Sequence, residues 1–190
     1  MLNLAGESSS HTLSLYVANR AGVLNRVVLV FSRRGWNIDS LSVSPDPDDK
    51  FSHCTIVASG DSNTLHKIVG QVKKLVDVID AKEVRYEDVV ESELALIRIS
   101  CPLTKRAELG LMMSKYLCQR VDESESDVTY QVVGTRTMLE ELTESIVRRF
   151  GLREVIRTGS IVIERSTPIQ YDISDGEPSG LGGTQAPSFV

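Results

Sequence analysis

The sequence predicts an α+β fold made twice over from the order β-α-β-β-α-β, on three observations. Short runs with an apolar residue at every second position alternate with stretches whose apolar residues recur at helical spacing. The whole order occurs once within residues 11–87 and again within 92–165. Gly60, Leu65, Ile68 and Val72 also recur 74 places later as Gly134, Leu139, Leu142 and Ile146, a weak internal register of the kind a repeated unit leaves.

In the first unit, Thr12–Ala18 alternates as a half-buried strand, and Asn19-Arg20-Ala21-Gly22 breaks it. Val23, Leu24, Val27, Val28 and Phe31 then share one helix face. That helix closes at Arg33-Arg34-Gly35, with Gly35 suited to the left-handed residue beyond a helix end. Ile38–Val43 and Phe51–Ser59 read as an antiparallel hairpin around the turn residues Pro45-Asp46-Pro47-Asp48-Asp49. Asp61 or Ser62 caps a second helix carrying Leu65, Ile68, Val69, Val72 and Leu75. Val78–Tyr86 is the last strand.

In the second unit, Glu93–Ser100 alternates as a strand, and Pro102 and Thr104 open a helix running to about Leu117. Arg120–Glu123 and Val128–Val133 form a short hairpin around the acidic turn Glu123-Ser124-Glu125-Ser126-Asp127. Thr135 or Thr137 caps a helix with Met138, Leu139, Leu142, Ile146 and Val147, ended by Gly151. Leu152–Glu164 supplies a last strand or a bent strand pair. Both units therefore follow the ferredoxin-like split βαβ order. From Ser166 the chain is turn-rich and lacks periodicity, which predicts a disordered tail over 166–190.

Composition narrows the function classes. The 190 residues carry 21 Lys+Arg against 26 Asp+Glu, a net charge of −5, which counts against a nucleic-acid backbone or an anionic membrane as main partner. The basic pairs Arg33-Arg34, Lys73-Lys74 and Arg148-Arg149 fall near helix C-termini, where they complement the helix dipole. No apolar run approaches the roughly 20 residues of a membrane span, and the first residues lack the basic and apolar regions of a secretory signal. Cys54, Cys101 and Cys118 are an odd set without CxxC spacing, as expected of reduced thiols in a cytoplasmic protein.

Catalytic chemistry finds little support. His11, His53 and His66 are scattered, and no HExxH, GxSxG, P-loop or GxGxxG occurs. Cys54 and His53 are neighbours, but adjacent strand residues point to opposite faces, so the pair diverges. Asp46, Asp48 and Asp49 lack the glycine and terminal glutamate of a calcium loop and read as a solvated turn. The expectation is no catalytic residue and no metal site.

The informative segment is Asn19-Arg20-Ala21-Gly22-Val23-Leu24. A helix N-terminus presents unpaired N–H groups and partial positive charge to a carboxylate or phosphate. Gly22 lets a ligand approach the backbone with no Cβ in the way. Asn19 can cap the helix or offer its amide to a ligand, and the residues alone leave both roles open.

The run Val17-Ala18-Asn19-Arg20-Ala21-Gly22-Val23-Leu24-Asn25-Arg26, with Phe31-Ser32-Arg33-Arg34-Gly35-Trp36-Asn37-Ile38-Asp39-Ser40-Leu41 and Leu75-Val76-Asp77-Val78, resembles the ACT domain of acetohydroxyacid (acetolactate) synthase regulatory small subunits. The N-x-x-G-x-L turn marks ACT domains generally, whereas R-G-aromatic-N-I-acid-S-L is specific to this family. The second unit resembles the family's C-terminal ACT-like domain more loosely. The resemblance implies a non-catalytic subunit that binds and activates the catalytic large subunit and confers feedback inhibition by a branched-chain amino acid, usually valine. Thiamine diphosphate, Mg²⁺ and FAD would belong to that partner. Two N-terminal domains would pair side by side with the effector at their interface. Asn19 and the backbone of Ala21, Gly22, Val23 and Leu24 would hold it from one copy, with Asn37 and Ile38 closing from the other. Val23, Leu24 and Ile38 would line the aliphatic tail. Asn25 stands where the family often has a small residue such as Ser.

Two other functions share parts of this pattern. A freestanding two-ACT amino-acid sensor needs the turn but not R-G-aromatic-N-I-acid-S-L. An RNA-binding sheet of the same strand order needs a basic-aromatic run in its third strand, which Phe51-Ser52-His53-Cys54-Thr55-Ile56 lacks.

Overall fold

Alternation sorts β1 (Ser9–Ala18) into two faces, with Leu13, Leu15 and Val17 buried in a core and Ser14 and Tyr16 opposite them. The computed structural model describes residues 9–166, so all but the first residue of the predicted tail lies outside the described residues. β1 leads into α1 (Val23–Ser32), then β2 (Asn37–Pro45), β3 (Phe51–Gly60), α2 (Ser62–Val72) and β4 (Val78–Glu83). The strands form an antiparallel sheet in the order β2-β3-β1-β4. Val23, Val27 and Phe31 of α1 and Leu65, Ile68 and Val72 of α2 pack on one face of it. Gly35, at φ +71°, ends the first helical turn region as its lack of Cβ allows.

The second unit repeats this with β5 (Val89–Ser100), α3 (Arg106–Met113), β6 (Leu117–Glu123), β7 (Asp127–Gly134), α4 (Arg136–Arg149) and β8 (Gly151–Arg157), in the sheet order β6-β7-β5-β8. β9 (Ile161–Glu164) continues along β5 beyond β8, pairing with Val89–Ser92. The fold class is therefore α+β with two ferredoxin-like units. The repeat reaches below the level of elements. β4 bulges at Ile79 against β1, and β8 bulges at Arg153 against β5, again 74 residues apart.

Two boundaries differ from the sequence expectation, and a third region takes one of its two expected forms. α3 stops at Met113 because Leu117 already pairs with Val133, and that ladder gives the backbone of 117–119 partners a longer helix would forgo. β4 ends at Glu83, and Tyr86–Asp88 forms a short 3₁₀ turn. Leu152–Glu164 is the bent pair, interrupted at Thr158-Gly159-Ser160 where Gly159 takes φ +83°.

That interruption joins the two units. A Cβ on Gly159 would lie 2.8 Å from Ser40 Cβ, so the turn rests on the face of the first sheet away from its helices. Val57 and Thr12, on that face, are accordingly buried. Beside the contact, Arg157 grips buried Glu93 with two bonds of 2.7 and 2.8 Å, and Ser160 Oγ donates to Glu91 at 2.6 Å. The helix-free face of the second sheet differs in chemistry. It exposes Leu96, Leu117, Ile156, Ile161 and Ile163, whereas the first sheet shows Ser14, Ser42, His53 and Lys82 there. No helix among the described residues is long and apolar enough to cross a membrane.

Candidate functional site

Gly22 precedes α1 at φ +83°, ψ −9°, a left-handed conformation that costs an L side chain roughly 1–2 kcal/mol. No side chain caps α1, and its first turn has no acidic residue. The N–H groups that open a helix lack intrahelical acceptors, so this terminus keeps donors and partial positive charge for an anion. The corresponding helix of the second unit, α3, follows a 3₁₀ turn (Leu103–Lys105), also has no side-chain cap and carries Glu108 in its first turn, whereas α4, the counterpart of α2, is closed. Thr135 at its N-cap accepts from the Met138 N–H, so of its two predicted caps Thr135 serves.

Asn19 does not cap α1. Its Nδ2 donates to Asp49 O at 3.0 Å and its backbone N–H to Lys50 O at 2.9 Å, tying the turn to the β2–β3 loop. That amide orientation leaves Asn19 Oδ1 as the acceptor facing away from the loop. The loop is anchored at its other end, where Tyr16 Oη donates to Asp46 Oδ2 and His53 Nε2 lies 3.1 Å from Asp46 Oδ1. The bond to Asp46 holds the Tyr16 proton and pushes its pKa up to about 12, with desolvation and the charges of Asp46 and Asp48 adding to it. Asp46 is thus engaged within the protein. Among the described residues no group of His, Cys, Asp and Glu is arranged to hold a metal ion.

A cavity of about 60 Å³ opens beside the turn, lined by Asn19, Val23 and Leu24 together with Val43 and Cys54. Ala21 and Gly22 are exposed at its rim. Val23 contributes little side-chain surface, since at 3 % exposure it belongs to the core, while Leu24 at 38 % is free to touch a ligand. Val43 and Cys54 were absent from the sequence-derived set. Their signal was cross-strand register, because they pair directly and alternation turns both toward α1. Burial pushes the Cys54 thiol pKa up, and exposed His53 lies on the opposite face, so the two form no nucleophile–base pair.

Asn37 and Ile38 are not brought to this cavity. They pair with Ser59 and Ala58 at the far end of the sheet. From Val43, six residues away, the strand covers about 20 Å. Within one chain the seven predicted residues therefore form two separate groups. The cavity is also small against the roughly 300–1,000 Å³ of a typical ligand pocket.

Residues 13–80 match the family described as the AHAS small subunit-like ACT domain, and residues 92–166 match the small subunit of acetolactate synthase. The chain belongs to the acetolactate synthase small-subunit family. The acetolactate synthase small subunit of Mycolicibacterium smegmatis is 34% identical over 162 residues, covering 85% of this chain and 95% of that one. The chloroplastic small subunit 2 of Arabidopsis thaliana is 36% identical over 155 residues. There the match takes 82% of this chain and 32% of the plant protein, so the chain spans about a third of that relative. The crystal structure of the Thermotoga maritima small subunit aligns with a TM-score of 0.72 at 27% identity, over 84% of this chain and 99% of that one. The two family matches fall one on each unit, with the uncapped turn of α1 inside the first.

Proposed function

We propose that this chain is the regulatory, non-catalytic subunit of an acetolactate synthase, binding the catalytic large subunit, raising its activity and making it sensitive to feedback inhibition by valine. The observation that carries the effector role is the uncapped N-terminus of α1, entered through left-handed Gly22 beside a small cavity and with no acidic residue in its first turn. An amino acid's carboxylate fits the N–H groups of Ala21, Gly22 and Leu24, its ammonium fits the amide oxygens of Asn19 and Asn37, and its aliphatic tail fits Leu24 and Ile38. Because one chain separates these groups, two copies pair through their first units, each closing the other's site with Asn37 and Ile38. Valine then favours the paired arrangement that completes both sites, and the catalytic subunit responds to that arrangement.

The exposed apolar face of the second sheet supports a protein partner there, since surfaces of this kind mark interaction sites. Thiamine diphosphate, Mg²⁺ and FAD belong to the catalytic subunit in this reading, and this chain supplies no group to the reaction. The test is an acetolactate synthase assay with the catalytic subunit of the same source. Added chain is expected to raise the rate and valine to lower it. A rate indifferent to the chain overturns the subunit assignment, and a raised rate indifferent to valine overturns the effector.

A further inference from the structure

β2 carries an irregularity at the residue that follows Asn37 and Ile38. Its pairing passes from Ile38 with Ala58 to Ser40 with Val57, which leaves Asp39 unpaired as a β-bulge. Bulges re-aim side chains, and this one turns the Asp39 carboxylate toward Asn37. Asn37 Nδ2 donates to Asp39 Oδ1 at 2.8 Å, and the Ser59 hydroxyl donates to Asp39 Oδ2 from the neighbouring strand. A carboxylate can only accept, so the side of the Asn37 amide facing it must be the NH₂ group. The carbonyl oxygen is thereby held outward on an exposed residue, and no donor within the described residues satisfies it.

We propose that Asp39 is a positioning residue, which fixes the Asn37 amide with its oxygen outward and so makes the closing strand specific for a ligand group that donates hydrogen bonds, an ammonium. The inference rests on the effector reading above and deepens it. Without Asp39 the amide rotates freely, and its NH₂ can serve an acceptor instead. A site built to accept from a donor rejects the analogue that lacks it, because the acceptor is then left unpaired. The ligand pair that exposes this is valine and its 2-oxo analogue, which replaces the ammonium by a carbonyl oxygen.

Calorimetric titration of the full chain with each compound tests the proposal. Wild type is expected to prefer valine, and Asp39→Ala, which removes both acceptors, to bind it about tenfold or more weakly, the scale of one hydrogen bond to a charged group, with the preference over the 2-oxo acid reduced. In an Asn37→Ala background, Asp39→Ala is expected to add nothing, since its effect runs through Asn37. Equal weakening toward both compounds, or a further loss in the Asn37→Ala background, overturns the positioning role. Valine binding unchanged by Asp39→Ala does the same while sparing the effector reading. Wild type that binds no valine overturns both.

Discussion

Gly22 sits at φ +83° with Arg26 Nη1 3.4 Å from where a Cβ would project. Gly22→Asp therefore adds left-handed strain and also places a carboxylate where the ligand's own would bind. Melting curves with and without valine are expected to show a stabilising shift for wild type and none for Gly22→Asp; an equal shift in both contradicts the site. Tyr16 makes a prediction in pH. Its folded-state pKa of about 12 lies above the ordinary value of 10.0, so the structure favours the protonated phenol. Its stabilising contribution is complete below about pH 10 and disappears as pH rises toward about 12. Ultraviolet titration of Tyr16→Phe should lose one late-ionising tyrosine relative to wild type, while Tyr130, also pushed up by burial, remains in both. At this scale the sequence was readable for Gly22 and ambiguous for Asn19. Its two readings were helix cap and ligand contact, and the β2–β3 loop that takes its Nδ2 reaches the turn only through tertiary folding.

Helices α1 and α4 begin differently, α1 with no side-chain cap and α4 with Thr135 capping it. Thr135→Ala is expected to cost about 1 kcal/mol in denaturant unfolding while leaving valine binding unchanged. Loss of valine binding in that variant contradicts the division of roles between the helices. Most strands and helices were legible because helix-on-sheet packing imposes clean periodicities of two and 3.6 residues. The end of α3 was not, since the apolar spacing through Leu117 continues as a helix would and only pairing with β7 withdraws those residues. The bulge at Asp39 was equally hidden, because unbroken alternation along 38–43 gives no sign of a ladder partner being skipped.

Beside the contact between the units, the second unit buries a charge with one dominant partner. Glu93 is 4 % exposed and bonded twice by Arg157, near the seat of Gly159 on Ser40. Removing one member of such a pair leaves the other charge uncompensated, so Arg157→Met is expected to cost about 3 kcal/mol, read from chemical unfolding. A cost near zero contradicts the pairing of buried Glu93 with Arg157. None of this was visible in the sequence, where Glu93 and Arg157 are 64 residues apart and look like ordinary surface charges. At the same scale, the proposed function has two copies meet so that the turn of one faces Asn37 and Ile38 of the other. Gly22→Asp and Asn37→Ala chains each break both sites of their own dimers, but a mixed dimer keeps one site intact. The direct measurement is the valine-induced melting shift after the two variants are mixed and allowed to exchange subunits. The mixture is expected to recover a shift that neither variant shows alone, and a mixture as unresponsive as its parents contradicts a site shared between two copies.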